Sequence, residues 1–235
     1  MEIFPSILAV WDATRGDRDA VALAACMAEQ AGAVALHVDV MDGHFVPATT
    51  FGAEMATHLR ACGVQGGLDV HLMVKDVLPA LQPFLAPEAG LGDGWGRVVF
   101  HARGAEKATV REALRMLDAA GIVGGLALDT DDEIVDIANY LDSGLVKQVL
   151  VMTVKAGAGG QMFQPAQLGK VTALKAAYPD VVVGVDGGVN PGNICRVREA
   201  GADFAVAGSA IFGGGLHTIS ARLAELHQVG ESISR

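Results

Sequence analysis

Cysteine is scarce in this chain: three in 235 residues, Cys26, Cys62 and Cys195, widely spaced and odd in number. They form no CxxC pair and no disulfide framework, which suits a reducing compartment. Basic residues are also short, with 17 Lys and Arg against 27 Asp and Glu and a formal net charge of -10. That balance argues against nucleic acid or an anionic membrane as the main partner. An anion would have to be held locally, by backbone amides or a helix terminus. No uncharged apolar run reaches the ~20 residues that span a bilayer. Met1-Glu2-Ile3-Phe4-Pro5 offers neither a basic region nor a long apolar run, so no signal peptide is expected and the cytoplasm is the expected location. Linkers and low-complexity tracts are lacking too, which leaves one domain over residues 1–235. What is abundant is apolar material: hydrophobic residues make up 51% and can fill a sizeable core.

Short apolar runs alternate with longer amphipathic ones. Strands are expected near Ile3–Leu8, Ala33–Val40, Gly67–His71, Arg97–Phe100, Val123–Leu128, Gln148–Met152, Val181–Val185 and Phe204–Ala207. Helices are expected over Ala20–Ala31, Lys107–Ala120, Ala166–Ala177, Asn193–Ala200 and Ile219–Gln228, and Pro87–Gly96 reads as a long loop. Near-continuous apolar strands indicate a parallel sheet covered on both faces. Eight strand–helix units in this length favour an α/β fold of the closed (β/α)8 TIM barrel type, with an open doubly wound sheet as the runner-up.

The segment His37-Val38-Asp39-Val40-Met41 carries the densest chemistry. Side chains alternate along a strand, so His37, Asp39 and Met41 share one face, and Val38 and Val40 pack outward. The next strand repeats the arrangement with Asp69, His71 and Met73 on one face. Later, Val181–Val185 ends in Asp186-Gly187-Gly188, where a barrel places catalytic groups. A lone inward His or Asp is usually a hydrogen-bonded core residue. Two such strands followed by Asp186 point instead to a site in which His37, Asp39, His71 and Asp186 converge. Two imidazoles and two carboxylates suit zinc or another divalent first-row metal, with iron, manganese and cobalt the other candidates. Met41, Met73 and Met152 are core filler by default, and an apolar lid over a reaction intermediate if the metal site is real.

A second constellation suits phosphate. Gly157-Ala158-Gly159-Gly160, Asp186-Gly187-Gly188 and Gly208-Ser209 each follow a late strand. Glycines permit close backbone approach, and barrels build phosphate sites from the loops after strands seven and eight. Any one of these loops reads as a plain connection; three in succession favour phosphate.

Together these segments resemble the ribulose-phosphate 3-epimerase family. The matching stretches are Pro5-Ser6-Ile7-Leu8, His37 through Pro47, Leu68 through Val74, Met152-Thr153-Val154, Gly159-Gly160-Gln161, Val185 through Val189 and Gly208 through Phe212. The resemblance implies a ribulose-phosphate-binding barrel that interconverts D-ribulose 5-phosphate and D-xylulose 5-phosphate with one divalent metal ion, and it implies a homo-oligomer. By position, it implies that His37, Asp39, His71 and Asp186 hold the metal and that Asp39 and Asp186 double as the acid–base pair. It implies substrate contacts at Ser6, His71, Gly157, Ala158, Gly159, Gly160, Asp186, Gly187, Gly188, Gly208 and Ser209.

Some segments depart from the family pattern. Ala156-Gly157-Ala158-Gly159-Gly160 stands where the family has Pro-Gly-Phe-Gly-Gly, which removes rigidity and an apolar side chain. Asp129-Thr130 replaces an Asn-Pro or Lys-Pro pair, Ala9-Val10-Trp11-Asp12 replaces Ser-Ala-Asp, and Arg103 stands where Glu is common. None of these touches the four ligand candidates, and they bear on substrate identity. The alternatives are therefore another ketose phosphate, such as allulose 6-phosphate, and a non-catalytic barrel that binds a sugar phosphate. A binder has no need of two opposed carboxylates. A decarboxylating or condensing barrel would call for a catalytic Lys, and Lys155 alone stands at a strand end.

Overall fold

A computed structural model describes residues 1–92, 96–157 and 159–231. Eight parallel strands occur among them: β1 (Glu2–Pro5), β2 (Ala35–Met41), β3 (Gly67–Met73), β4 (Gly96–His101), β5 (Val123–Leu128), β6 (Gln148–Met152), β7 (Val182–Asp186) and β8 (Phe204–Ala207). They follow the order β1-β8-β7-β6-β5-β4-β3-β2. The gap between β1 and β2 is joined by a parallel bridge from Ser6 to His37. There the Ile7 N–H donates to the His37 carbonyl at 3.1 Å. The sheet is thus a (β/α)8 TIM barrel, and the doubly wound alternative does not apply.

The outer layer is helical: α1 (Leu8–Thr14), α2 (Arg18–Gln30), α3 (Ala53–Ala61), α4 (Val77–Leu81), α5 (Lys107–Ala119), α6 (Ile134–Leu141), α7 (Leu168–Ala177), α8 (Ile194–Glu199), α9 (Ser209–Phe212) and α10 (Ile219–Glu231). α5 shows why. Its buried residues Val110, Ala113, Leu114 and Leu117 recur at helical spacing and form one stripe against the sheet. α2 begins where the Asp17 side chain accepts from the backbone N–H groups of Asp19 and Ala20, at 3.0 and 3.1 Å.

Strand alternation divides the apolar residues between two cores. Val38, Val40, Val70, Leu72, Val183 and Val185 face outward into the helix layer. Phe4, Val99, Leu150, Phe204 and Val206 fill the barrel itself. The rings of Phe4 and Phe204 stack with centroids 4.4 Å apart. Gly184 makes room for this stack, since a Cβ there would lie 2.1 Å from Phe204 Cζ.

Two sequence expectations need correction. The first strand ends at Pro5 rather than Leu8, and the chain turns at Ile7 into α1, with Leu8 and Val10 buried. An apolar run alone does not separate a buried strand from a short buried helix. The Pro87–Gly96 stretch is not all loop: Pro87–Ala89 forms a short 3-10 turn and Gly96 already belongs to β4. Residues 93–95 of that stretch lie outside the described residues.

Candidate active site

Register alone delivers the polar side chains to one place. β2 and β3 pair so that His37 lies beside Asp69, Asp39 beside His71 and Met41 beside Met73. Asp186 ends β7 beside Met152 of β6. These inward residues climb the barrel wall towards its C-terminal mouth.

His37, Asp39, His71 and Asp186 meet there, with one potential ligand atom from each lying within 4.8 Å of the others. His37 Nε2 is 3.2 Å from Asp39 Oδ1 and 3.8 Å from Asp186 Oδ2. His71 Nδ1 is 3.4 and 3.8 Å from the same two oxygens. Four ligands placed ~2.0–2.1 Å from one ion at tetrahedral angles stand roughly 3.3 Å apart, so these spacings fit a cation between them. His71 Nδ1 is also buried without a hydrogen-bond partner among the described residues. A buried nitrogen aimed at two carboxylates, with no bond of its own, is what a ligand atom looks like before a metal is added. The cluster could hold a divalent ion.

Neighbouring groups orient these side chains. The Ser6 hydroxyl donates to Asp39 Oδ2 at 2.9 Å. His37 Nδ1 is 2.7 Å from Asp69 Oδ2, while the Gln148 amide donates to Asp69 Oδ1, also at 2.7 Å. Arg97 in turn donates to Gln148 Oε1 at 3.0 Å. His71 Nε2 lies 2.9 Å from His101 Nε2, and the His101 ring packs on Phe45. Asp69, Gln148, Arg97 and His101 carry no role in the sequence reading. The available signal was polar residues on the inward face of apolar strands, a face that Asp69 was already seen to share with His71.

Electrostatics divides the two carboxylates. Burial works against ionising Asp39, but the His37 and His71 rings outweigh it and hold the carboxyl well below the usual range. Asp186 is pushed up to about 6 by burial, with the charges of Asp39 and Asp69 adding and those of His37 and His71 opposing. Burial also disfavours a charged His37 ring, yet Asp39, Asp69 and Asp186 more than compensate and keep its proton well above the ordinary imidazole range. In the metal-free protein, protons supply part of the positive charge that a cation would bring.

Asp39 and Asp186 reach the floor of a cavity of about 580 Å³. Ser6, Met41, Met73 and Met152 line it beside them, whereas His37 and His71 are fully buried beneath. The far wall is backbone: Gly157, Gly159 and Gly160 on one loop, Gly187 and Gly188 on a second, Gly208 and Ser209 on a third. Ala158 lies outside the described residues. Gly187 and Gly188 sit at φ of 118° and 66°, a left-handed backbone that favours glycine. A Cβ on Gly187 would meet Val154 Cγ2 at 2.5 Å. Thr153, given no role in the sequence reading, is fully buried and fixes this turn by donating its hydroxyl to the Gly187 carbonyl at 2.6 Å, with the Asp186 carbonyl 3.0 Å away.

The loop that lost its Pro and Phe is tied down by other means. Asp129 Oδ1 accepts from the Ala156 N–H at 3.2 Å, and Asp129 Oδ2 accepts from Arg103 at 3.1 Å. Arg103 also lies 3.4 Å from Asp132, and Lys155 pairs with Asp131. The residues singled out in the sequence around 103, 129–132 and 155–156 thus contact one another.

Comparison with known proteins agrees with this geometry. The model of the ribulose-phosphate 3 epimerase family matches residues 2–212. The ribulose-phosphate 3-epimerase of Escherichia coli (strain K12) is 37% identical over 216 residues, covering 89% of this chain and 88% of that protein. The cytoplasmic isoform of ribulose-phosphate 3-epimerase from Oryza sativa subsp. japonica is 38% identical over 183 residues, covering 77% of each. Among solved structures, a 3-hexulose-6-phosphate synthase superposes with a TM-score of 0.64 at 20% identity, covering 97% of this chain and 99% of that one, a likeness of fold. No helix among the described residues is long and apolar enough to cross a membrane. With barrel, cluster and relatives in agreement, this chain belongs to the ribulose-phosphate 3-epimerase family and is an isomerase.

Proposed function

We propose that the protein inverts carbon 3 of a ketose phosphate, interconverting D-ribulose 5-phosphate and D-xylulose 5-phosphate, with one divalent metal held by His37, Asp39, His71 and Asp186. The observation that carries this reading is a pair of carboxylates, Asp39 and Asp186, delivered by β2 and β7 to one cavity floor beside the same two histidine nitrogens. Epimerisation beside a carbonyl removes a proton from one face and returns one to the other. A base on one face alone would restore the starting sugar. Asp39 and Asp186 supply base and acid, one ionised and the other protonated at the start, and they exchange roles in the reverse direction. His37, Asp39, His71 and Asp186 would hold a divalent cation, which would supply positive charge as negative charge develops on the sugar oxygens. The mixed nitrogen and oxygen donors suit zinc first, with iron, manganese or cobalt as the other candidates.

Met41, Met73 and Met152 cover the reacting carbons with apolar surface that excludes water. The glycine-rich wall at residues 157, 159–160, 187–188 and 208–209 receives the phosphate on backbone amides, as an acidic protein requires. No nucleic acid or membrane enters the reaction, and we place the enzyme in the cytoplasm as a homo-oligomer. A second substrate, a six-carbon ketose phosphate such as allulose 6-phosphate, is favoured by the side-chain contacts from residues 129–132 that tie down Lys155 and Ala156, next to Gly157 of the cavity wall. Turnover of five- and six-carbon ketose phosphates is to be compared before chelation, after it, and after zinc or manganese is restored. Loss and recovery of five-carbon epimerisation is expected; full activity in demonstrably metal-free protein sinks the metal-dependent reading.

A further inference from the structure

We propose that Arg97, Gln148 and Asp69 form a one-directional hydrogen-bond chain whose work is to fix the tautomer of His37; they are positioning residues. The proposal rests on the reading above that His37 Nε2 is a ligand atom.

The direction of the chain follows from donor and acceptor chemistry. A guanidinium donates and never accepts. Arg97 Nη1, 3.0 Å from the Gln148 side chain, must therefore face the amide oxygen. The amide nitrogen of Gln148 then turns towards Asp69 Oδ1 and donates at 2.7 Å. Asp69, with one oxygen taken, offers the other to His37 Nδ1 at 2.7 Å. A carboxylate there accepts, so Nδ1 keeps a proton, and when the ring gives up its other proton to a metal it is the Nε2 lone pair that points at Asp39 and Asp186. Each link dictates the next, from one side of the barrel interior to the ligand cluster.

Burial makes the order strict. His37, Asp69 and Gln148 are completely buried, so no bulk water can repair a mismatched bond. The anchor cannot swing away either. Arg97 neighbours Asp69 in strand register, and its guanidinium carbon lies 5.7 and 6.0 Å from the stacked rings of Phe4 and Phe204. A carboxylate in an apolar barrel is also costly unless matched, and Arg97 supplies the opposite charge through the polarised amide.

Reversing the polarity of two links tests the chain. Asp69→Asn is nearly isosteric but brings an NH2 group where two acceptors are needed. Its amide must then oppose either the Gln148 NH2 or the His37 Nδ1–H. The second choice drives the proton to Nε2 and closes the ligand atom. In Asp69→Asn with Gln148→Glu, every link is satisfied again at unchanged net charge. The carboxylate introduced at position 148 accepts from Arg97 and from the NH2 introduced at position 69. The carbonyl of that same new amide accepts from His37 Nδ1–H.

Zinc affinity, measured by chelator competition on the folded full-length protein, is expected to fall at least tenfold in Asp69→Asn. It is expected to recover to within about threefold of the starting protein in the double variant. A residue that merely fills space would give a double variant no better than the single one. That result, or unchanged zinc affinity in Asp69→Asn, overturns the proposal. If Asp69→Asn does not fold, a double variant that folds and binds zinc supports it, and one that fails likewise overturns it. Should the unaltered protein take up no zinc, the metal reading fails separately. The chain is then tested by histidine ¹⁵N spectra recorded with the ring neutral. An Nδ1 proton on His37, lost in Asp69→Asn and regained in the double variant, supports it; identical spectra in all three overturn it.

Discussion

Asp186→Asn separates a two-base epimerase from a protein that only binds a sugar phosphate. The substitution removes one proton carrier and leaves Asp39 on the other face. Positioned general acid–base catalysis contributes about 10²–10⁴-fold, so net epimerisation is expected to fall by at least that range. Half the chemistry should survive. In deuterated water, Asp39 can still remove the proton of one epimer and return solvent deuterium to the same carbon, so label enters unreacted ketose while little product forms. The geometry also says which of the two proposed ligands is safer to alter. Asp186 Oδ2 stands 3.8 Å from each histidine nitrogen, whereas Asp39 Oδ1 stands at 3.2 and 3.4 Å. Asp39 is therefore the tighter member, is braced by Ser6, and its Asn variant should lose more metal. Metal content is to be measured in each variant, followed by deuterium incorporation into substrate and product by mass spectrometry or NMR. Near-original epimerisation by metal-loaded Asp186→Asn would refute the two-base mechanism.

Three further outcomes are expected. Gly188→Ala places a side chain at φ 66° with its Cβ 3.0 Å from the Gln161 carbonyl oxygen and the Phe163 nitrogen, so KM for the phosphorylated ketose should rise about tenfold while the fold survives at a cost of roughly 1–3 kcal/mol; an unchanged KM argues against phosphate on this turn. Gly184→Ala drives a methyl group into the ring of Phe204 and should lower unfolding free energy by about 1–3 kcal/mol in denaturant titrations, and an unchanged midpoint would show that the Phe4–Phe204 stack yields easily. Because His37 keeps its proton well above the usual range and Asp186 titrates at about 6 in the metal-free protein, zinc binding at neutral pH should release protons and weaken as pH falls; calorimetric enthalpies that do not vary with the buffer's own ionisation enthalpy would contradict this.

The barrel was legible because its two apolar surfaces are written differently. Outward positions carry β-branched residues such as Val38, Val40 and Val70, while the inward positions between them carry the His and Asp residues, so alternation alone separated scaffold from chemistry. The four-residue cluster was legible for the same reason. The start of α1 was not, since Ile7, Leu8 and Val10 continue an apolar run across a change from strand to helix. The chain through Asp69, Gln148 and Arg97 also escaped: register sets Asp69 beside Arg97, but Gln148 comes from β6, which is not a neighbour of β3 or β4, and reaches both only inside the closed barrel. The Arg103–Asp129 and Lys155–Asp131 pairs were visible as separate oddities but not as partners, which needs the distances between loops.

The closing bridge between Ser6 and His37 has a consequence for how the protein is made. β1 leaves the ribosome first, yet it finds its ladder partner in β8, near the other end of the chain, and β7 brings Asp186 only shortly before. A nascent chain therefore carries His37, Asp39 and His71 for most of its synthesis with neither their fourth companion nor a closed wall behind them. Completion of the four-residue cluster by β7 and closure of the sheet by β8 both wait for the last two strands. Stalling translation before residue 204 should yield a chain that cannot turn over sugar, whatever metal surrounds it.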